Sequence, residues 1–201
     1  MLLFLRQNFT CRNLERLRPP HSFAAAWLVV FCVTASGQGI GAREYQIKAA
    51  FLLNFVQFIQ WPAESFPQAD SPLVVGVLGD DPFGTVLEQT MAGEVVGDRK
   101  IVVKRSRDLN ELKTAHLLFI SVSEQSRLEN IVESLGDRPV VTVGAFPGFT
   151  SRGGIIGFYV ENNKIRFEIN AAAAQKRGIR INAQLLARAR LVGPDPGGEH
   201  R

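Results

Sequence analysis

The stretch from Gly154 to Asn170 leaves the chain little freedom. Ile156, Phe158 and Val160 alternate with Gly157, Tyr159 and Glu161; after Asn162 and Asn163, Ile165, Phe167 and Ile169 alternate with Lys164, Arg166, Glu168 and Asn170. Apolar residues at period two mark half-buried strands. Asparagine tolerates the positive φ of a two-residue type I′ turn. That turn fixes the register: Glu161 faces Lys164, Val160 faces Ile165, Tyr159 faces Arg166, Phe158 faces Phe167, Gly157 faces Glu168 and Ile156 faces Ile169. Slipping by one residue would separate every apolar pair of the inner face. On the outer face a ring lies by a guanidinium, and Gly157 leaves space above the Glu168 carboxylate.

Around this hairpin, helix and strand patterns alternate. Residues 43–62 read as a helix ending before Pro62, apolar over so much of its girth that the fold or a partner must bury it. LVVGVLG (73–79), KIVVKR (100–105), HLLFIS (116–121) and PVVTVG (139–144) read as strands. PFGTVLEQTM, with Pro82 in its first turn, and SEQSRLENIVESLG (123–136) read as helices. AAAAQKR (171–177) predicts a helix closed by Gly178, and NAQLLARARLV (182–192) a final one. The expected fold class is α/β: a layered sheet flanked by helices, with an antiparallel hairpin near the C-terminal side.

The N-terminus has a different character. Arg6, Arg12, Arg16 and Arg18 precede the apolar run FAAAWLVVFCVTA (23–35) and the small-residue stretch SGQGIGA. A basic start, a short apolar run and small residues describe a secretory signal peptide, and the run is shorter than the ~20 residues of a spanning helix. Residues 1–42 are therefore expected to be a signal peptide cut between Gly37 and Ala42. Residues 43–192 form a single domain and 193–201 a flexible tail. Of the chain's 23 Lys and Arg, four precede residue 43, and of its 19 Asp and Glu one does, leaving 19 against 18. The basic pI thus belongs largely to targeting, and no nucleic-acid surface follows from it. Cys11 and Cys32 leave with the same segment, so the exported domain has no disulfide or thiol nucleophile.

Motif chemistry is sparse. GDDPFGTV (79–86) follows a strand and opens a helix, but Thr85 stands where a P-loop needs lysine, and Asp80 and Asp81 repel phosphate. The two aspartates read as turn and cap residues, with a ligand contact as the sharper alternative. Gly153 and Gly154 read first as a turn or bulge before the hairpin and second as a ligand contact. His116 and His200 form no metal cluster, the serines have no histidine partner, and no catalytic set, metal site or cofactor is expected. Lys176, Arg177, Arg180, Arg188 and Arg190 form a basic stretch that is either a solvated helix end or a docking patch for an acidic partner. Trp61 reads as a core anchor.

YQIKAAFLLNFVQFIQWP, VLGDDPFG, RGGIIGFYVENNKIRFEIN and AAAAQKRGIRINAQLLARARLV together resemble, in order and spacing, the YfiR-like family over roughly residues 45–192. The resemblance implies a small periplasmic α/β protein, not an enzyme. The resemblance further implies repression of a membrane-bound diguanylate cyclase through its periplasmic sensor region, lowering cyclic di-GMP and biofilm formation; the expected partner here is such an inner-membrane cyclase or a sensor kinase. A homodimer is a further candidate assembly. The absence of cysteine after residue 42 removes the disulfide-based redox control of some members, and Asn182 and Ala183 stand where the C-terminal motif usually has serines. For a partner interface, the apolar helix over residues 43–62 supplies the centre and Arg152, Arg166, Arg188 and Arg190 the polar rim. The competing expectation is a periplasmic small-ligand-binding protein using the crevice at the carboxyl ends of the strands near Asp80 and Asp81, with Gly153 and Gly154 as further ligand contacts.

Overall fold

The computed structural model describes residues 41–193. The expected tail after Gly193 and all but the last two residues of the expected signal peptide lie outside the described residues.

The sheet is built on strands that are apolar along their whole length because both of its faces are covered. Its order is β10-β8-β7-β6-β5-β2-β4-β3, with β2 Leu73–Leu78, β3 Val95–Val96, β4 Arg99–Ser106, β5 Leu117–Ile120, β6 Val141–Gly144, β7 Ile156–Glu161, β8 Lys164–Asn170 and β10 Arg190–Val192. Strands β4, β2, β5, β6 and β7 run parallel; β8 turns antiparallel to β7, and β10 pairs parallel with β8. A separate two-stranded ladder joins β1 (Ile59–Gln60) to β9 (Arg180–Ile181).

Alternation along β2 serves two cores. Leu73, Val75 and Val77 pack with Leu52, Phe55 and Val56 of α1 (Gly41–Phe58). Val74 and Leu78 face the opposite layer, which holds Leu112 of α3 (Leu109–Leu112) and Leu128, Ile131 and Leu135 of α4 (Leu128–Leu135). A 3-10 turn over Val122–Arg127 leads into α4, and the short helices α2 (Val86–Met91), α5 (Ala171–Lys176) and α6 (Ala183–Leu186) complete the chain.

The hairpin has the expected register at all six pairs, from Ile156↔Ile169 to Glu161↔Lys164. Asn162 and Asn163 take φ of 50° and 58°. Phe158 and Phe167 are buried against Phe51 and Phe55 of α1, with ring centroids 5.1–5.8 Å apart.

Other expectations need correction. The helix expected to start at Pro82 starts at Val86, because the Asp81 carboxylate accepts the Phe83 N–H at 2.9 Å in a local turn and Gly84 takes φ +55°. Helix α1 stops at Phe58, where residues 59–60 leave to pair with β9. The helix expected over 182–192 lasts only from Ala183 to Leu186. Beyond it Arg190, Leu191 and Val192 pair with Glu168, Ile169 and Asn170. Tertiary strand pairing there overrides the helical preference of an Ala/Leu/Arg sequence.

Candidate functional site

Helix α1 turns Lys48, Ala49, Leu52, Phe55 and Val56 toward the sheet. A second stripe, Ile47, Phe51, Asn54 and Phe58, advances by four, three and four residues and so lies on one flank of the helix. Ile47 is 42% exposed, and Val160 across from it, on the hairpin, is 64% exposed. Between them runs an open cleft of about 830 Å³ floored by Ile47, Phe51, Val160 and Ile165, with Arg43 and Lys164 at its edges. Further down the same flank, Arg188 and Gln184 border a recess beside Phe58 and Phe167.

The four arginines expected to form a rim do not form one cluster. Arg188 lies on the α1 side. Arg166 and Arg190 share the opposite face of the hairpin with Tyr159 and Glu168. The Arg190 guanidinium stacks 4.1 Å from the Tyr159 ring centroid and binds Glu168, which also accepts from the Thr150 hydroxyl. Gly157 makes this possible, since a Cβ there would sit 3.2 Å from Glu168 Oε1. Arg166 lies 3.9 Å from Glu161. Arg152 ties its loop to α4, donating to Glu129 at 2.6 Å and to the Gln125 carbonyl at 2.9 Å; the hydrogen bonds from Arg152 hold the Glu129 carboxyl down to about 2. Arg177, in the basic stretch, is buried with its Nε donating to the Gly136 carbonyl, and burial pushes its pKa down.

The acidic and glycine candidates have neighbours of their own. At the carboxyl end of β2, Asp80 pairs with Arg107 at 2.6 Å and Asp81 with Arg105 at 2.7 Å. Arg105 continues to Glu88 and to the Gly84 carbonyl, and its hydrogen bond lowers the Glu88 pKa. Gly153 takes φ +94° against Val132 of α4, and Gly154 lies under Phe149, whose ring would be 2.3 Å from an added Cβ. Both aspartates thus pair with arginines, Gly153 is required by its positive φ, and Gly154 by the Phe149 ring.

A further cleft, of about 430 Å³, opens at the carboxyl end of β6. Strand β6 ends at Gly144 opposite Gly157, so β7 continues to Glu161 paired only with β8. The loop 145–148, Phe158, Tyr159, the Glu168–Arg190 pair and the Glu44–Lys48 pair of α1 line the opening. Sequence reasoning missed Glu44 and Lys48; the available signal was a lone charge in the helical run from Ile47 to Phe58, whose other polar residues are the uncharged Asn54 and Gln57. Among the described residues no group of three His, Cys, Asp or Glu side chains is placed to hold a metal, and no helix is long and apolar enough to cross a membrane.

Comparison with known proteins matches residues 45–190 to the family described as YfiR/HmsC-like, and the chain belongs to that family. No curated protein matches it. Among solved structures, a conserved domain protein from Vibrio cholerae O1 biovar El Tor is similar at TM-score 0.50 and 12% identity, covering 75% of this chain and 60% of that one. The ABC domain in complex with L-Trp from Streptococcus pneumoniae is similar at TM-score 0.50 and 12% identity, covering 72% and 60%. The present chain spans about 60% of the length of each, and the likeness shows the shared α/β fold.

Proposed function

We propose that this YfiR/HmsC-like protein is a periplasmic regulator that binds and represses the sensor region of an inner-membrane signalling enzyme, a diguanylate cyclase or a histidine kinase. The family supports the regulatory theme. The observation that carries the reading is the α1 flank, where Ile47, Phe51 and Val160 present apolar surface edged by Arg43 and Lys164. An apolar centre with a charged rim is the pattern of a specific protein interface. Repression requires the protein to bind one conformation of its partner more tightly than another, since only differential affinity shifts an equilibrium.

The test is capture of the tagged protein from detergent-solubilised envelopes. A membrane protein with a diguanylate cyclase or kinase domain should co-purify with the wild type and be lost with Ile47→Glu plus Val160→Glu. Co-purification unaffected by the double substitution would move the interface off α1, and recovery of no such enzyme would count against the reading itself. Small-ligand binding is the second reading, and the cleft at the end of β6 favours it, since its volume is in the range of small-molecule sites.

A further inference from the structure

Lys48 occupies an unusual place. It is 4% exposed, on the side of α1 that packs on the sheet, with Nζ 4.5 Å from the Tyr45 ring centroid and 6.0 Å from that of Phe158. Its anionic partner is Glu44, one turn earlier, whose side chain is 36% exposed against 5% for the lysine. Removing an ammonium from water costs more than a helix-surface pair returns, and a methionine would occupy a similar volume without that penalty. Stability alone therefore does not explain a lysine here. It does line a cleft whose apolar walls include Phe146, Pro147 and Phe158.

We propose that this cleft binds a small organic carboxylate, with Lys48 as the group that receives it and the aromatic walls holding an apolar body. The proposal rests on the ligand-binding reading, and the cleft adjoins the α1 flank, with which it shares Glu44 and Val160. The two acidic residues of the cleft differ in freedom. Glu168 is held by both Thr150 and Arg190 and its side chain is 14% exposed, whereas Glu44 is held by Lys48 and faces partly into water. A ligand carboxylate can take the place of Glu44 on the ammonium while Glu44 swings into solvent, so the buried cation stays paired throughout. An amine ligand could pair with Glu44 only by leaving the buried Lys48 ammonium without its partner, which is the costlier exchange.

The experiment is a titration of the purified exported protein with phenylacetate, its neutral analogue phenylacetamide and the amine phenethylamine, followed by amide resonances. Phenylacetate should saturably shift Lys48, Gly148 and Tyr159, with the other two probes about tenfold weaker or worse. Lys48→Met should weaken phenylacetate by a similar factor, and Glu44→Gln, which frees the ammonium, should strengthen it. Equal binding of phenylacetamide, a preference for phenethylamine, or wild-type affinity in Lys48→Met would leave a ligand site but overturn the role of Lys48. If Lys48→Met does not fold, unchanged or weaker binding in Glu44→Gln overturns it equally. No shift at these residues with any probe at about 10 mM would overturn the proposal and the ligand-binding reading together.

Discussion

At the amino ends of the strands, His116 is buried with both ring nitrogens committed. The Val74 N–H donates to Nδ1 at 3.0 Å, and Nε2 lies 3.2 Å from the Ser65 carbonyl, which can only accept. The ring is therefore the neutral tautomer protonated at Nε2. Phe66 stacks on it at 4.3 Å, Arg99 lies 3.8 Å beyond on the far side of Phe66, and the Trp61 indole donates to the His116 carbonyl. Burial first, and the Arg99 charge to a lesser degree, push the His116 pKa below its ordinary value, against the opposing Ser65 hydrogen bond. The unfolded chain consequently takes up a proton at higher pH than the folded one. The stabilisation is complete above the unfolded pKa of about 6.5 and is lost as pH falls toward the lowered folded value. The unfolding midpoint should therefore drop between about pH 7 and 5. His116→Gln, which can still accept from Val74, should flatten that slope; an equal slope in the variant would exclude His116 as its source. The sequence showed His116 only as a histidine opening a buried strand. Its role was illegible because its two partners lie 42 and 51 residues away.

At the scale of elements, local chemistry and long-range pairing divide the chain between them. The β7–β8 hairpin was readable to the individual pair, since alternation and a two-asparagine turn are local signals that agree. Phe158→Ala and Phe167→Ala each empty a site against Phe51 and Phe55 and should cost about 3–5 kcal/mol. Tyr159→Ala, on the other face, loses contact with Arg190 and should cost about 1 kcal/mol. Denaturant midpoints that fall together for all three would contradict the face assignment. Strand β10 was misread as helix because Ala, Leu and Arg favour helices locally, while its pairing with β8 spans 22 residues. The same misreading placed Arg190 on a free helical surface. Its position over Tyr159, bound to Glu168, makes it a tie between strands, so its charge reversal is a poor probe of an interface.

For the whole molecule, the α/β class was legible because strands covered on both faces read as unbroken apolar runs between helical segments. The candidate site was legible in part. Excess apolar girth on residues 43–62 pointed to a helix burying more than one face, and the structure leaves Ile47 and Phe51 on a flank beside Val160. The clustering of four arginines was not legible, since their faces depend on which strands pair. Arg188 alone borders the α1 flank. The central claim is that this flank holds a membrane enzyme in its repressed state. The direct test is the cyclic di-GMP level of a strain lacking the gene, together with the output of a neighbouring sensor kinase. Each is measured after restoring either the wild type or Ile47→Glu with Val160→Glu, both exposed positions where substitution should cost little stability. The account predicts that one of the two outputs rises on deletion, returns to normal with the wild type, and stays high with the folded double variant. Outputs unchanged by deletion, or fully restored by the double variant, would contradict it.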